Sequence, residues 1–200
     1  MSDAYLRIVD VEVPEEDAPA MGKKVIDRFR KLGLITGKLN KKCVLGEGGG
    51  YVPGPAITKY KVYRHDITKF FPPQKGYEFF DHRWNGAEPI VGGHYNSYAF
   101  PEAWAGATCS KCNKPISNRD DEFFYAICDA VQKWQEEECR GPVACPLCKK
   151  KTDITKWQCR TPLGIGNLSF SFWNWTEFDS PDWSIDIPAI VAEVTGTRSN

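Results

Sequence analysis

No apolar run in this 200-residue chain approaches the roughly 18 residues needed to span a bilayer, so no membrane-crossing helix is expected. The opening residues Met1-Ser2-Asp3-Ala4-Tyr5 have neither the basic nor the apolar segment of a secretory leader, which predicts a cytoplasmic protein. Excess charge of either sign is missing too: 26 Lys and Arg balance 26 Asp and Glu. A protein built chiefly to grip nucleic-acid phosphates carries a basic excess or a dense basic face, so that class recedes to a local patch at most. No G-x-x-x-x-G-K-[ST] occurs. The glycine-rich stretch Gly46-Glu47-Gly48-Gly49-Gly50 lacks the lysine that would read a phosphate, and it is expected to be a mobile connection.

Cysteine, by contrast, is plentiful. Four of the eight cysteines form two C-x-x-C doublets, Cys109-Ser110-Lys111-Cys112 and Cys145-Pro146-Leu147-Cys148. Two residues between thiolates let both sulfurs of a tight turn face one point about 2.3 Å away, as tetrahedral zinc requires. Cys109, Cys112, Cys145 and Cys148 are therefore the expected ligands of a structural Zn²⁺ that has no open position. Disulfides are the competing use of eight cysteines, but the missing leader, the chain length and the doublet clustering favour metal. A thioredoxin-like redox pair would place one doublet at a helix start, and iron–sulfur spacings are tighter. A catalytic zinc would need an open position and a His or carboxylate ligand. Cys43, Cys128, Cys139 and Cys159 are left over, with Cys128 expected to be buried and Cys139 or Cys159 as replacement ligands.

Around the doublets the pattern is mixed. Tyr5 to Val13 reads as a strand. Pro14 and the following acids open a helix with the stripe Met21, Val25, Phe29 and Leu32, and Gly33 ends it. Thr36 to Pro55 is loop-like, while Ile57–Tyr63, Gly76–Phe80 and His94–Phe100 are candidate strands broken by Pro72-Pro73, Asn85-Gly86 and Gly92-Gly93. A second helix, capped by Asn118, carries the stripe Phe123, Ile127, Val131 and Trp134 between the doublets. Ile154–Cys159 reads as a strand leaving the second doublet. Leu168–Trp175 alternates, and Ile185–Val194 suits a short helix ending at Gly196. The expectation is an α+β fold with a mainly antiparallel sheet, two longer helices and a short C-terminal helix. It would form one domain over 1–200, with the knuckle region and its inserted helix over 105–160. A residue after each doublet must adopt a left-handed backbone, which suits Asn113 better than Lys149.

The β-α opening, Pro53-Gly54-Pro55, C-x-x-C, helix, Cys-Pro-x-Cys and Gly166-Asn167-Leu168-Ser169-Phe170-Ser171-Phe172-Trp173-Asn174-Trp175 together resemble a family of bacterial cytoplasmic proteins. Some of its members carry a sugar-transporter ATPase label. The resemblance implies a zinc-knuckle α+β protein with no established activity, and the missing P-loop argues against the label. Two departures stand out: the family's glycine after the knuckles is missing, and its proline after Trp-Asn-Trp is Thr176 here.

These features favour a non-enzymatic binding or adaptor protein acting through protein–protein contact, with an immunity-type toxin neutraliser as one form. The tryptophan-rich Phe172–Trp175 and Trp183 region is its candidate surface, with burial in the core as the alternative use. An enzyme would instead gather His65, His82 and His94 with Asp66, Asp81 and Glu88 around a cleft. A nucleic-acid binder would use Lys149, Lys150, Lys151, Lys156 and Arg160 beside the zinc ribbon.

Overall fold

In the computed structural model, residues 5–60, 83–97, 104–137, 141–160, 163–175 and 183–196 are described, with backbone only at 93–97 and 135–137. The chain is α+β and divides into two compact units. The first comprises Met1–Ile8, Glu16–Ile90 and Ser169–Asn200; the second comprises Val9–Glu15 and Val91–Leu168.

A five-stranded sheet anchors the first unit. Its strands are β1 (Tyr5–Asp10), β2 (Ile35–Asn40), β3 (Gly50–Pro53), β4 (Ala87–Ser97) and β10 (Leu163–Trp173), in the order β1-β10-β4-β3-β2. β1, β4 and β10 each continue into the residues of the second unit. Strand β1 stops earlier than its β-formers suggest. Asp10 is buried, and its carboxylate accepts the N–H groups of Glu12 (3.0 Å) and Val13 (3.1 Å), turning the chain out of the strand.

The stretch Thr36–Pro55, expected as loop, holds most of the hairpin β2–β3. Its ends pair Ile35 with Pro53 and Asn40 with Gly50, and the register shifts between them. Four consecutive exposed residues in β2 hide the strand, because no buried face imposes alternation on them. Ile57–Tyr60 is a short helix, α2, and not the start of a strand. Gly92 (φ +118°) lies inside β4, so Gly92-Gly93 interrupts nothing.

Helix α1 (Ala18–Lys31) buries Val25, Ile26 and Phe29, as its apolar spacing requires, and Gly33 (φ +70°) ends it. The Phe29 ring meets Phe170 and Phe172 of β10 edge-on, at 6.1 and 5.9 Å between centroids. Helix α4 (Ile187–Thr195) packs against α1. Its start is capped by Asp186, which accepts the Ala189 N–H at 2.8 Å, and Gly196 (φ +77°) closes it. Arg28 and Glu193 approach to 3.8 Å across these helices, an exposed pair worth little.

The tryptophan-rich segment is mostly core, with Trp173 half-buried. Phe172, Trp175 and Trp183 are buried, and the two indoles stack at 5.6 Å with 17° between planes. Trp175 donates its indole N–H to the Asn85 carbonyl at 2.8 Å. The alternation of β10 also does not mark a wet face, since Ser169 and Ser171 are as buried as Phe170. Arg7 donates to Ser171 Oγ at 2.9 Å. A strand with neighbours on both sides can keep a small polar residue such as Ser171 inside when a partner satisfies it; the buried Ser169 hydroxyl has no hydrogen-bond partner among the described residues.

In the second unit, three short antiparallel pairs surround helix α3 (Asp121–Glu137). They are β5 (Ala107–Thr108) with β6 (Pro115–Ile116), β7 (Pro142–Ala144) with β8 (Lys151–Asp153), and β5 again with β9 (Gln158–Cys159). The strand leaving the second doublet is thus β8; Ile154–Lys156 is a single 3-10 turn before β9. Phe123, Ile127, Val131 and Trp134 of α3 are buried, with Ala130 between them. They pack with Trp104, Ile116, Val143, Ile154, Trp157 and Ile165, and the Phe123 and Trp157 rings lie 4.8 Å apart. The helix is capped by Asp120 and not by Asn118: Asp120 Oδ1 accepts the Phe123 N–H at 3.0 Å. Cys128 is half-buried, less enclosed than the stripe suggests. No described helix is long and apolar enough to cross a membrane.

Candidate metal centre

Each cysteine doublet forms the tip of one hairpin, and the two tips have the same backbone wiring. In the first, Asn113 donates its N–H to the Cys109 carbonyl at 2.8 Å, and Cys109 donates to Lys114 at 3.2 Å. In the second, Lys149 donates to Cys145 at 2.9 Å, and Cys145 to Lys150 at 3.0 Å. The wiring needs a left-handed residue after each doublet, and Asn113 (φ +57°) and Lys149 (φ +60°) supply it. Asparagine tolerates that conformation; lysine is held there at some cost, which the hairpin and the sulfur cluster must offset.

The result brings all four sulfurs within 4.8 Å of one another. Cys109 Sγ lies 4.0 Å from Cys148 Sγ, and Cys112 Sγ lies 3.9 Å from Cys145 Sγ. A regular tetrahedron with 2.3 Å metal–sulfur bonds has edges of roughly 3.8 Å, so these separations suit one shared ion. They are about twice a disulfide bond, and all four cysteines are free thiols. Cys109, Cys112, Cys145 and Cys148 can therefore hold a metal ion.

The electrostatics of the cluster point the same way. Burial pushes the Cys109 thiol up, but the backbone N–H groups of Lys111 and Cys112 and the thiols of Cys145 and Cys112 outweigh it. They bring Cys109 down to about 7. At Cys112 the Lys114 N–H pulls the thiol down, yet desolvation and the sulfurs of Cys109, Cys148 and Cys145 drive it to about 11. Cys109 thus ionises more easily than Cys112, because a thiolate on one sulfur repels and so disfavours a second beside it. A divalent cation removes that repulsion.

The cluster is built into the apolar core of its unit. Cys109 and Cys145 are fully buried among the residues around α3, with Cys112 and Cys148 packed against them. Cys159 lies opposite Ala107 in the β5–β9 pair and is not part of the sulfur group. Burial pushes its thiol up to about 11, as expected for an inert side chain. Cys43 belongs to the first unit, where burial raises its thiol and its Sγ donates to the Asn40 carbonyl at 3.3 Å. Cys139 lies outside the described residues.

Of the acid–base set, His65, His82, Asp66 and Asp81 lie outside the described residues, as does the side chain of His94. Glu88 is buried in β4 and accepts the Trp173 indole N–H at 3.1 Å. Lys149, Lys150, Lys151, Lys156 and Arg160 are all exposed. The left-handed backbone expected after each doublet is found at both Asn113 and Lys149, although lysine suits it less. Sequence reasoning missed the Glu88–Trp173 bond, which joins residues 85 apart and left no local trace.

No family model, curated protein or solved structure matches this chain.

Proposed function

We propose that the chain is a non-enzymatic binding protein whose four cysteines hold a structural Zn²⁺ and whose knuckle end docks an acidic protein surface. The single observation carrying this reading is the character of that end. Lys111 lies within the first knuckle, Lys114 follows it, and Lys149, Lys150 and Lys151 follow the second; all are exposed, and none makes an ion pair among the described residues. Leu147, between the second pair of cysteines, is 54% exposed.

Charge supports the same partner. Residues 104–119 carry three basic and no acidic side chains, and residues 141–160 carry five basic and one acidic. Because the whole chain is neutral, the remainder is correspondingly acidic. Such asymmetry steers association and orients a partner of opposite sign. Four sulfurs fill the coordination of zinc and leave no place for a water or substrate, so the metal's part is to fix the surface. The immunity-type form of this reading requires a tight one-to-one complex.

The test has two parts. Metal analysis should give one zinc per chain. A native pull-down should then yield a stoichiometric acidic protein, lost with Lys149→Glu/Lys150→Glu/Lys151→Glu while the zinc content is unchanged. A wild-type pull-down without any stoichiometric protein would sink the proposal. Capture of nucleic acid in its place, weakening steeply with salt, would move the assignment to the nucleic-acid alternative.

A further inference from the structure

The first unit holds a cavity of about 430 Å³, lined among the described residues by Lys41, Val44, Leu45, Gly46, Glu47 and Trp84. That is within the size range of small-molecule sites. Its walls are fitted, including the glycine-rich stretch expected to be a mobile connection. Gly46 backs onto the buried Glu88 carboxylate, where any Cβ would overlap it. Gly49 (φ +78°) donates its N–H to the Gly46 carbonyl at 3.4 Å, and a Cβ there would fall 3.3 Å from Cγ of Lys41. Gly86 ties down the preceding turn by donating to the Cys43 carbonyl at 2.8 Å. The Trp84 carbonyl accepts Asn174 Nδ2 at 2.7 Å, and the Arg83 guanidinium covers the Trp84 ring, 4.4 Å from its centroid.

Charge lines this cavity in both signs. Lys41 and Glu47 are exposed, and neither is ion-paired, with the other or with any described residue. A ligand carrying one charge would meet its like across the cavity, an anion facing Glu47 and a cation facing Lys41. A zwitterion meets an opposite charge at both. The rest of the lining is apolar: Val44 is buried, Trp84 is half-buried, and Leu45 is 52% exposed. A ligand side chain laid on Leu45 and the Trp84 indole would take that surface out of water. We propose that this cavity binds a free α-amino acid with an apolar side chain. Its carboxylate pairs with Lys41, its ammonium with Glu47, and its side chain lies against Val44, Leu45 and Trp84. The site is independent of the cysteine cluster and of the partner proposed above, and it stands or falls apart from them.

The experiment follows the Trp84 indole N–H of the full-length protein by NMR, with the signal assigned through Trp84→Phe. L-Leucine should shift it saturably, in the millimolar range for a ligand this small. Three analogues at matched ionic strength each remove one contact. N-acetyl-L-leucine lacks the ammonium, L-leucinamide lacks the carboxylate, and glycine lacks the side chain. Each should bind at least about tenfold more weakly than leucine. Glu47→Gln should weaken leucine about tenfold and leave N-acetyl-leucine unchanged, because that analogue has no ammonium to lose a partner. Lys41→Gln should weaken leucine about tenfold and leave leucinamide unchanged for the same reason. Both residues are exposed, so neither substitution threatens the fold. No saturable shift with leucine, equal binding of any of the three analogues, or unchanged leucine affinity in either variant overturns the proposal.

Discussion

Stripping the proposed zinc from the sulfur cluster should unfold the knuckle hairpins while leaving the first unit intact. The hairpins are short: β5 and β6 pair over two residues each, and β7 and β8 over three. An isolated two-stranded hairpin is marginal even at greater length. Without a cation, sulfurs packed within 4.8 Å of one another cannot all ionise, and they then contribute little more than ordinary packing. Zinc bound by small cysteine-rich units is worth on the order of 10 kcal/mol at neutral pH, comparable with the whole stability of a domain. For a unit of about 85 residues, losing even half of that should lower its melting temperature by roughly 20–40 °C. Hydrogen exchange with and without chelator is the direct assay. The Asn113 and Lys149 amides, which close the two knuckles, should exchange slowly in the loaded protein and near the unprotected rate in the stripped one. Amides of α1 and α4 should not change. Continued protection of Asn113 and Lys149 after verified metal loss would refute the reasoning, because it would place the stability of the hairpins in the apolar core.

Three further outcomes are expected. Asp120→Ala removes the side-chain cap of α3 and should cost about 1 kcal/mol in chemical denaturation, whereas Asn118→Ala should be near neutral. Lys149→Gly relieves a left-handed lysine and should raise stability by up to about 1 kcal/mol, while Lys149→Val at the same φ should lower it. Cys159 has its thiol raised by burial from 9.0 to about 11. Its contribution is fully present below pH 9 and lost as pH rises through 11, since only the unfolded chain then releases the proton easily. Replacing Cys159 with Ala should remove about 2–3 kcal/mol of the fall in stability measured between neutral pH and pH 11.

The sequence was most legible where short-range chemistry decides the structure. Two residues between cysteines dictate a turn, and the turn dictates where the sulfurs point; Cys109, Cys112, Cys145 and Cys148 converge accordingly. The spacing of Val25 and Phe29, or of Phe123, Ile127 and Trp134, likewise predicted which helix faces are buried. Reading failed where burial is imposed from far away. β2 presents mostly exposed residues and has no alternation to read. Gly46 and Gly50 suggested flexibility, although their missing side chains make room for Glu88, Val44 and Ala87. The Trp173-Asn174-Trp175 segment offered large apolar side chains, and sequence alone could not tell a core from a surface. Asn174 (φ +55°) donates to the Trp84 carbonyl at 2.7 Å, and that turn sends Trp175 inward onto Trp183.

The matched knuckles also constrain the chain as a polymer. Cys112 and Cys145 are 33 residues apart, and all of α3 lies between them. An ion gripping both acts as a cross-link that closes this loop. By the chain-entropy argument used for disulfides, a loop of that length removes about 4 kcal/mol of disorder from the unfolded ensemble. While the ion stays bound, α3 can melt only inside a closed ring, with both ends held near the core it must rejoin.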